Sequence, residues 1–176
     1  MRGKTKNSKF FYNTEIPTDW VVEKSGSVIK YFGGNAFSSD DACEEGVKWL
    51  KIANVGVEAT KWNDVSFLPY DFIDLHKKYL LKDGDIVMAL TRPILDGKLK
   101  IAKVQKNDEP CLLNQRVAKL IPKGDVDISF LYYVLQTPYY VYMMEIAMAG
   151  TDPPNIGNGY LEKIKIPLPP LPEQKP

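Results

Sequence analysis

The 176 residues contain one histidine, His76, which sits beside Lys77 and Lys78 in a polar stretch with no obvious partner. A nucleophile–base pair is therefore not indicated. The two cysteines, Cys43 and Cys111, are far apart and lack the spacing of a zinc set. Gly33-Gly34, and Gly157 with Gly159, fit neither common phosphate-loop fingerprint. No catalytic, metal or cofactor chemistry is expected, nor a small-molecule substrate. Hydrogen bonding to nucleic acid is one other chemistry these residue types could do, beside the reading of plain solvated surface. Arg, Lys, Asn and Gln side chains can read base edges in a major groove, and lysines and hydroxyls can hold phosphates. Asn35, Arg92, Lys98, Gln115 and Arg116 fall in loops or at strand ends and are the candidate readers. Ser38, Ser39, Lys48, Lys61 and Lys100 are candidate phosphate contacts. Arg92 leads, because arginine suits guanine O6 and N7 and Pro93 stiffens the turn presenting it. The competing reading makes Arg92 a plain surface arginine or gives it a salt bridge to Asp85 or Asp96.

Elements must position these side chains. Asp83-Gly84 makes a turn, an apolar run follows it, and Lys98-Leu99-Lys100-Ile101 alternates. Residues 84–104 are predicted as a hairpin with Arg92 and Lys98 near its tip. Residues 33–41 form a polar loop, and 46–55 read as a central strand. A further strand is expected over 111–122, so at most one of Gln115 and Arg116 would face a ligand. Asp127 caps one helix; Thr137-Pro138 starts a second carrying Val141, Met144, Ile146 and Met148. These apolar helices call for a sheet to cover. Ile164 and Ile166 alternate with lysines as a half-buried strand. Five prolines between 167 and 176 then predict a polyproline-like exit. Residues 21–32 fit a short helix or a strand, and 57–79 give no clear pattern.

An apolar fraction of 44% and a charged fraction of 26% are those of an ordinary globular protein. The run from Ile128 to Met148 is broken by Gln136, Thr137, Pro138 and Glu145, so it reads as buried helix and not a membrane span. The N-terminus is polar and basic, without a secretory signal, and the expected location is cytoplasmic. Net charge is +1, low for a nucleic-acid binder, but charge is uneven along the chain. Lys98, Lys100, Lys103, Lys106, Arg116, Lys119 and Lys123 face only Asp108 and Glu109 between residues 98 and 123. Such a run can be one basic face or merely solvated surface.

Several stretches carry a family resemblance: Pro17 before Trp20; Gly84-Asp85-Ile86, Arg92 and Gly97-Lys98; Leu113-Asn114-Gln115; and the ending from Gly150-Thr151 through Asn155-Ile156-Gly157 to Pro167–Gln174. Over residues 15–174 the chain resembles a target-recognition domain of the DNA-specificity subunit of type I restriction–modification systems. The resemblance implies an α+β fold, a twisted, mostly antiparallel β-sheet with two packed helices near the C-terminus. It implies one domain over 15–174, a basic lead-in or linker over 1–14, and a proline-rich exit over 167–176 toward a conserved helix absent here. It also implies recognition of one half of a bipartite double-stranded DNA target. Catalysis would lie in partner methyltransferase and restriction subunits. A linker before Ile16 would make this the second domain of its parent. Asp152-Pro153-Pro154-Asn155 is similar to the Asp-Pro-Pro-aromatic motif of adenine amino-methyltransferases, but Asn155 has no π-face to stack on a base, so it reads as a loop. Two other readings stay open: the recognition domain of a single-chain restriction–methylation enzyme, and a protein-interaction module using the proline-rich tail.

Overall fold

The computed structural model describes residues 6–7 and 15–175. The expected lead-in over 1–14 lies outside the described residues except for Lys6–Asn7, which pairs antiparallel with Glu15–Ile16. The chain divides into two compact units. One holds residues 31–120 and 150–155; the other holds the described residues up to 30 together with 121–149 and 156–175.

The first unit contains two four-stranded sheets. One runs in the order Ile101–Lys103, Ile86–Ala89, Val117–Pro122, Ile29–Gly33; the division cuts its last two strands after Leu120 and Lys30. The other runs Phe67–Leu68, Val47–Leu50, Cys111–Leu113, Leu80–Leu81. Its central pair, Val47–Leu50 with Cys111–Leu113, is parallel; its neighbours on either side are antiparallel. Side chains alternate across this sheet as the pleat requires. Leu50, Cys111 and Leu113 pack with Val87, Ala89, Ala102 and Val117 of the other sheet. Val47, Trp49 and Leu112 point the opposite way, onto Phe37 and Leu68. A strand buried on both faces reads as a continuous apolar run, which is why 46–55 is legible as a central strand.

Burial also fixes the cysteine chemistry. Cys111 is fully buried, and burial first, then the neighbouring Asp108 charge, pushes its thiol up to about 12. Cys43 is exposed. An aromatic disulfide reagent at pH 8 should therefore label one thiol per native chain, Cys43, and the second only on unfolding. Mass spectrometry of native and denatured samples checks this.

The predicted hairpin is present. Ile86–Ala89 pairs antiparallel with Ile101–Lys103, and a second short ribbon, Ile94–Leu95 with Lys98–Leu99, extends it. Asp96 and Gly97 turn its tip with φ of 50° and 72°, the double left-handed geometry of a tight hairpin turn. Below it, Asp85 Oδ2 accepts the Lys82 N–H at 2.9 Å and the Lys119 ammonium at 2.7 Å.

In the second unit both helices appear where their caps predict. Ile128–Val134 starts at Asp127, whose Oδ1 accepts the Ser129 and Phe130 N–H groups at 2.7 and 3.1 Å. Pro138–Met148 starts at Thr137 with proline in its first turn. Val141, Met144 and Met148 are buried, whereas Ile146 is 51% exposed. Asp127→Ala should cost about 1–2 kcal/mol, because two first-turn donors lose their acceptor. A denaturant titration showing under about 0.3 kcal/mol would contradict the cap.

Residues 21–32 resolve into both alternatives: strand Val21–Lys24, helical turn Ser25–Val28, then strand Ile29–Gly33. The tail differs from expectation. The strand Lys165–Leu168 continues through Pro167, paired with Val21–Lys24, and Leu171–Gln174 then forms a helical turn. A two-strand ribbon tolerates a proline whose missing N–H would point outward, and Pro172 sits in a first turn, where N–H groups lack partners anyway. Gln174 is buried; it accepts the Asp127 N–H at 2.9 Å and donates to Pro169 O at 2.8 Å, folding the tail back onto its own unit.

Candidate nucleic-acid interface

The expected single strand over 111–122 is two strands in different sheets, separated by Asn114, Gln115 and Arg116. The break has a local cause. Asn114 Oδ1 accepts the Arg116 N–H at 3.0 Å, and Val117 N–H closes onto Asn114 O at 3.0 Å. This is asparagine turn chemistry, with Gln115 and Arg116 at the two central positions. Both are therefore exposed together, instead of pointing to opposite faces of a strand.

Backbone hydrogen bonds gather the other readers around that turn. Asn35 N–H donates to Leu113 O at 2.9 Å, and Asn35 O accepts from Gln115 N–H at 2.9 Å. Gly34 makes this approach possible: an added Cβ would fall on the carbonyl oxygens of Leu113 and Asn114. On the other side, Leu90 N–H donates to Arg116 O at 2.9 Å. Thr91 and Arg92 follow directly. Asn35, Gln115, Arg116 and Arg92 thus stand at one end of the sheet, beside the last residue of Ile29–Gly33, the first of Val117–Pro122 and the last of Ile86–Ala89.

Arg92 is exposed with φ of 47°, a left-handed conformation uncommon outside glycine, asparagine and aspartate. Its N–H donates to Pro154 O at 2.7 Å. The competing salt bridges are absent: Asp85 is engaged by Lys119, and neither Asp85 nor Asp96 holds Arg92. Lys98 is exposed beside the hairpin tip, and Lys100 N–H to Pro93 O at 2.7 Å closes the hairpin's base.

The phosphate candidates divide. Lys61 and Ser39 are exposed. Ser38 accepts the Asp40 N–H at 3.2 Å as a cap, and Lys48 Nζ donates to Asn107 O at 2.6 Å over the Trp62 ring. The Lys100 ammonium donates to Ile52 O, and its pKa is lowered, first by burial and then by Lys61. Three more cations of the basic run over 98–123 are engaged within the chain. Lys106 pairs with Glu109, Lys119 with Asp85, and Lys123 donates to Gly26 O. His76 is half-buried, edge-on to Phe37 and Phe72 with ring centroids 5.0 Å away in each case. It belongs to an aromatic cluster.

Three residues outside the candidate set shape this end of the sheet: Asn114, Thr91 and Asn155. Asn114 carried a signal, as an asparagine between an apolar run and Gln115-Arg116. Thr91 and Asn155 carried none, because their contact spans 64 positions: Thr91 Oγ1 donates to Asn155 Oδ1 at 2.8 Å. Among the described residues no group of three or more His, Cys, Asp or Glu side chains could hold a metal. No helix among them is long and apolar enough to cross a membrane.

Residues 17–176 match the family described as type I restriction modification DNA specificity domain. The chain is 46% identical to the type I restriction enzyme MjaVIII specificity subunit of Methanocaldococcus jannaschii, over 92% of this chain and 38% of that protein. It is 36% identical to the EcoAI specificity subunit of Escherichia coli, over 91% of this chain and 27% of that one. The chain thus spans about a third of each relative's length. Its fold is similar to the HsdS subunit of Thermoanaerobacter tengcongensis, with a TM-score of 0.60, 20% identity, and coverage of 92% of this chain and 36% of that one. A chain from a type I R-M system, solved in work on complex assembly and conformational transition, gives 0.63 at 20% identity, covering 92% and 37%.

Proposed function

Because this chain belongs to the type I restriction modification DNA specificity family, we propose that it reads one half of a bipartite DNA target as the non-catalytic recognition module of a restriction–modification complex. Residues 15–174 act as one recognition domain in this reading. Methylation and cleavage belong to partner methyltransferase and restriction subunits, and the complex works in the cytoplasm. The observation that carries the reading is the gathering of Arg92, Gln115, Arg116 and Asn35 at one sheet end. Arg92 and Arg116 are exposed there, and no carboxylate among the described residues pairs with either. Such a cluster can offer base-edge donors while nearby Lys98 holds a phosphate.

The reading accounts for the low net charge of +1. With Lys98 as the phosphate contact at this end, log K against log salt should have a slope of roughly −1 for the isolated chain. Affinity should therefore be weak at physiological salt, with the methyltransferase subunit supplying further contacts. Fluorescence anisotropy on duplex DNA from 20 to 200 mM salt tests this. A flat dependence, or no binding at the lowest salt, contradicts it. The tail-as-ligand reading is disfavoured by the burial of Pro169 and Gln174 against the chain's own unit.

A further inference from the structure

The loop 150–155 buries none of its side chains: residues 150–155 are all exposed. Its order is nevertheless specified. Gly150 turns it with φ of 83°, and Asn155 N–H donates to Thr151 Oγ1 at 3.2 Å. Pro153 and Pro154 fix φ and bring no N–H of their own. The loop supplies two acceptors to Thr91-Arg92. Asn155 Oδ1 takes the Thr91 hydroxyl at 2.8 Å, and Pro154 O takes the Arg92 N–H at 2.7 Å. Thr91 and Asn155 also form an antiparallel bridge, and Thr91 is 5% exposed.

We infer that Thr91 and the 150–155 loop form a clasp that positions Arg92, holding its backbone left-handed so that its side chain meets one particular base. The inference rests on the DNA reading proposed above. A left-handed arginine with an exposed side chain returns to negative φ unless neighbouring groups hold it there. That change swings the Cα–Cβ direction and carries the guanidinium off a bidentate pairing, which tolerates little misalignment. Thr91 and Asn155 are positioning residues: they touch Arg92's backbone environment and need not touch DNA. Asp152-Pro153-Pro154-Asn155, which by wording alone invites comparison with a methyltransferase motif, has a structural task here.

Thr91→Val keeps shape and removes the hydroxyl; Thr91→Ser restores it; Asn155→Ala changes an exposed side chain and should leave the core intact. Two readouts are needed. The first is the exchange rate of the Arg92 amide by NMR, expected to rise at least tenfold in Thr91→Val and Asn155→Ala and to stay near wild type in Thr91→Ser. The second is base preference in duplex selection, expected to relax at the position that Arg92→Ala relaxes, with salt slope unchanged. Unchanged amide exchange overturns the clasp whatever the DNA result. Faster exchange with base preference intact also overturns it, leaving a merely structural bond. If wild type selects no motif, alone or with its cognate methyltransferase subunit, the DNA reading fails separately, and with it the clasp's role in base choice.

Discussion

Arg92→Ala should lower affinity for the selected half-site by about 10- to 100-fold and leave folding stability within about 0.5 kcal/mol of wild type. The first figure follows from the roughly 1–3 kcal/mol of discrimination that a bidentate arginine–guanine pair supplies. The second follows from the surroundings of the side chain. It is exposed and holds no ion pair among the described residues, so truncation leaves no stranded charge. Alanine keeps the left-handed strain at φ of 47°. Glycine removes it, gaining about 1 kcal/mol of relief against a similar loss from a freer unfolded chain. Arg92→Gly should therefore bind as poorly as Arg92→Ala and be equally or more stable. Arg92→Lys keeps the charge and loses the fork, so non-specific binding should persist while base preference falls. Anisotropy paired with denaturant unfolding separates these outcomes. Loss of stability without loss of binding would assign Arg92 to the fold.

Gly34→Ala should be the more damaging change, with a cost of about 2–3 kcal/mol. Its new methyl group meets backbone oxygens of Leu113 and Asn114, which cannot step aside as a flexible side chain would. The strand end carrying Asn35 would be pushed from the Asn114–Val117 turn, breaking Asn35 N–H to Leu113 O and Gln115 N–H to Asn35 O. Two candidate readers should then lose their relation to Arg92, and DNA preference should fall further than stability alone explains. Gly33→Ala is the control, because an added Cβ there meets nothing within 4 Å. Thermal denaturation of the pair gives the measurement; equal melting temperatures would contradict the close approach.

The legible parts of the chain were those set by short-range rules. Asp127 and Thr137 announced two helices because a cap needs only neighbouring N–H groups. The 84–104 hairpin followed from the Asp83-Gly84 turn, the apolar run after it and the alternation of Lys98-Leu99-Lys100-Ile101. The division at Asn114–Arg116 was hidden because apolar residues flank it on both sides, so the strand pattern seems unbroken. Only the approach of Gly34, some eighty positions earlier in the chain, makes the turn's role visible. The support beneath Arg92 was hidden for the same reason, since its acceptors lie in residues 154 and 155. The prolines after Ile166 misled because their effect depends on whether each missing N–H had a partner to lose.

Selection from a randomised duplex library at low salt tests the central claim most directly, with wild type and Arg92→Ala run side by side. The account predicts enrichment of one short motif by wild type, alone or with its cognate methyltransferase subunit, and relaxation at a single position by Arg92→Ala. Absence of any enriched motif in both settings would contradict DNA reading by this chain.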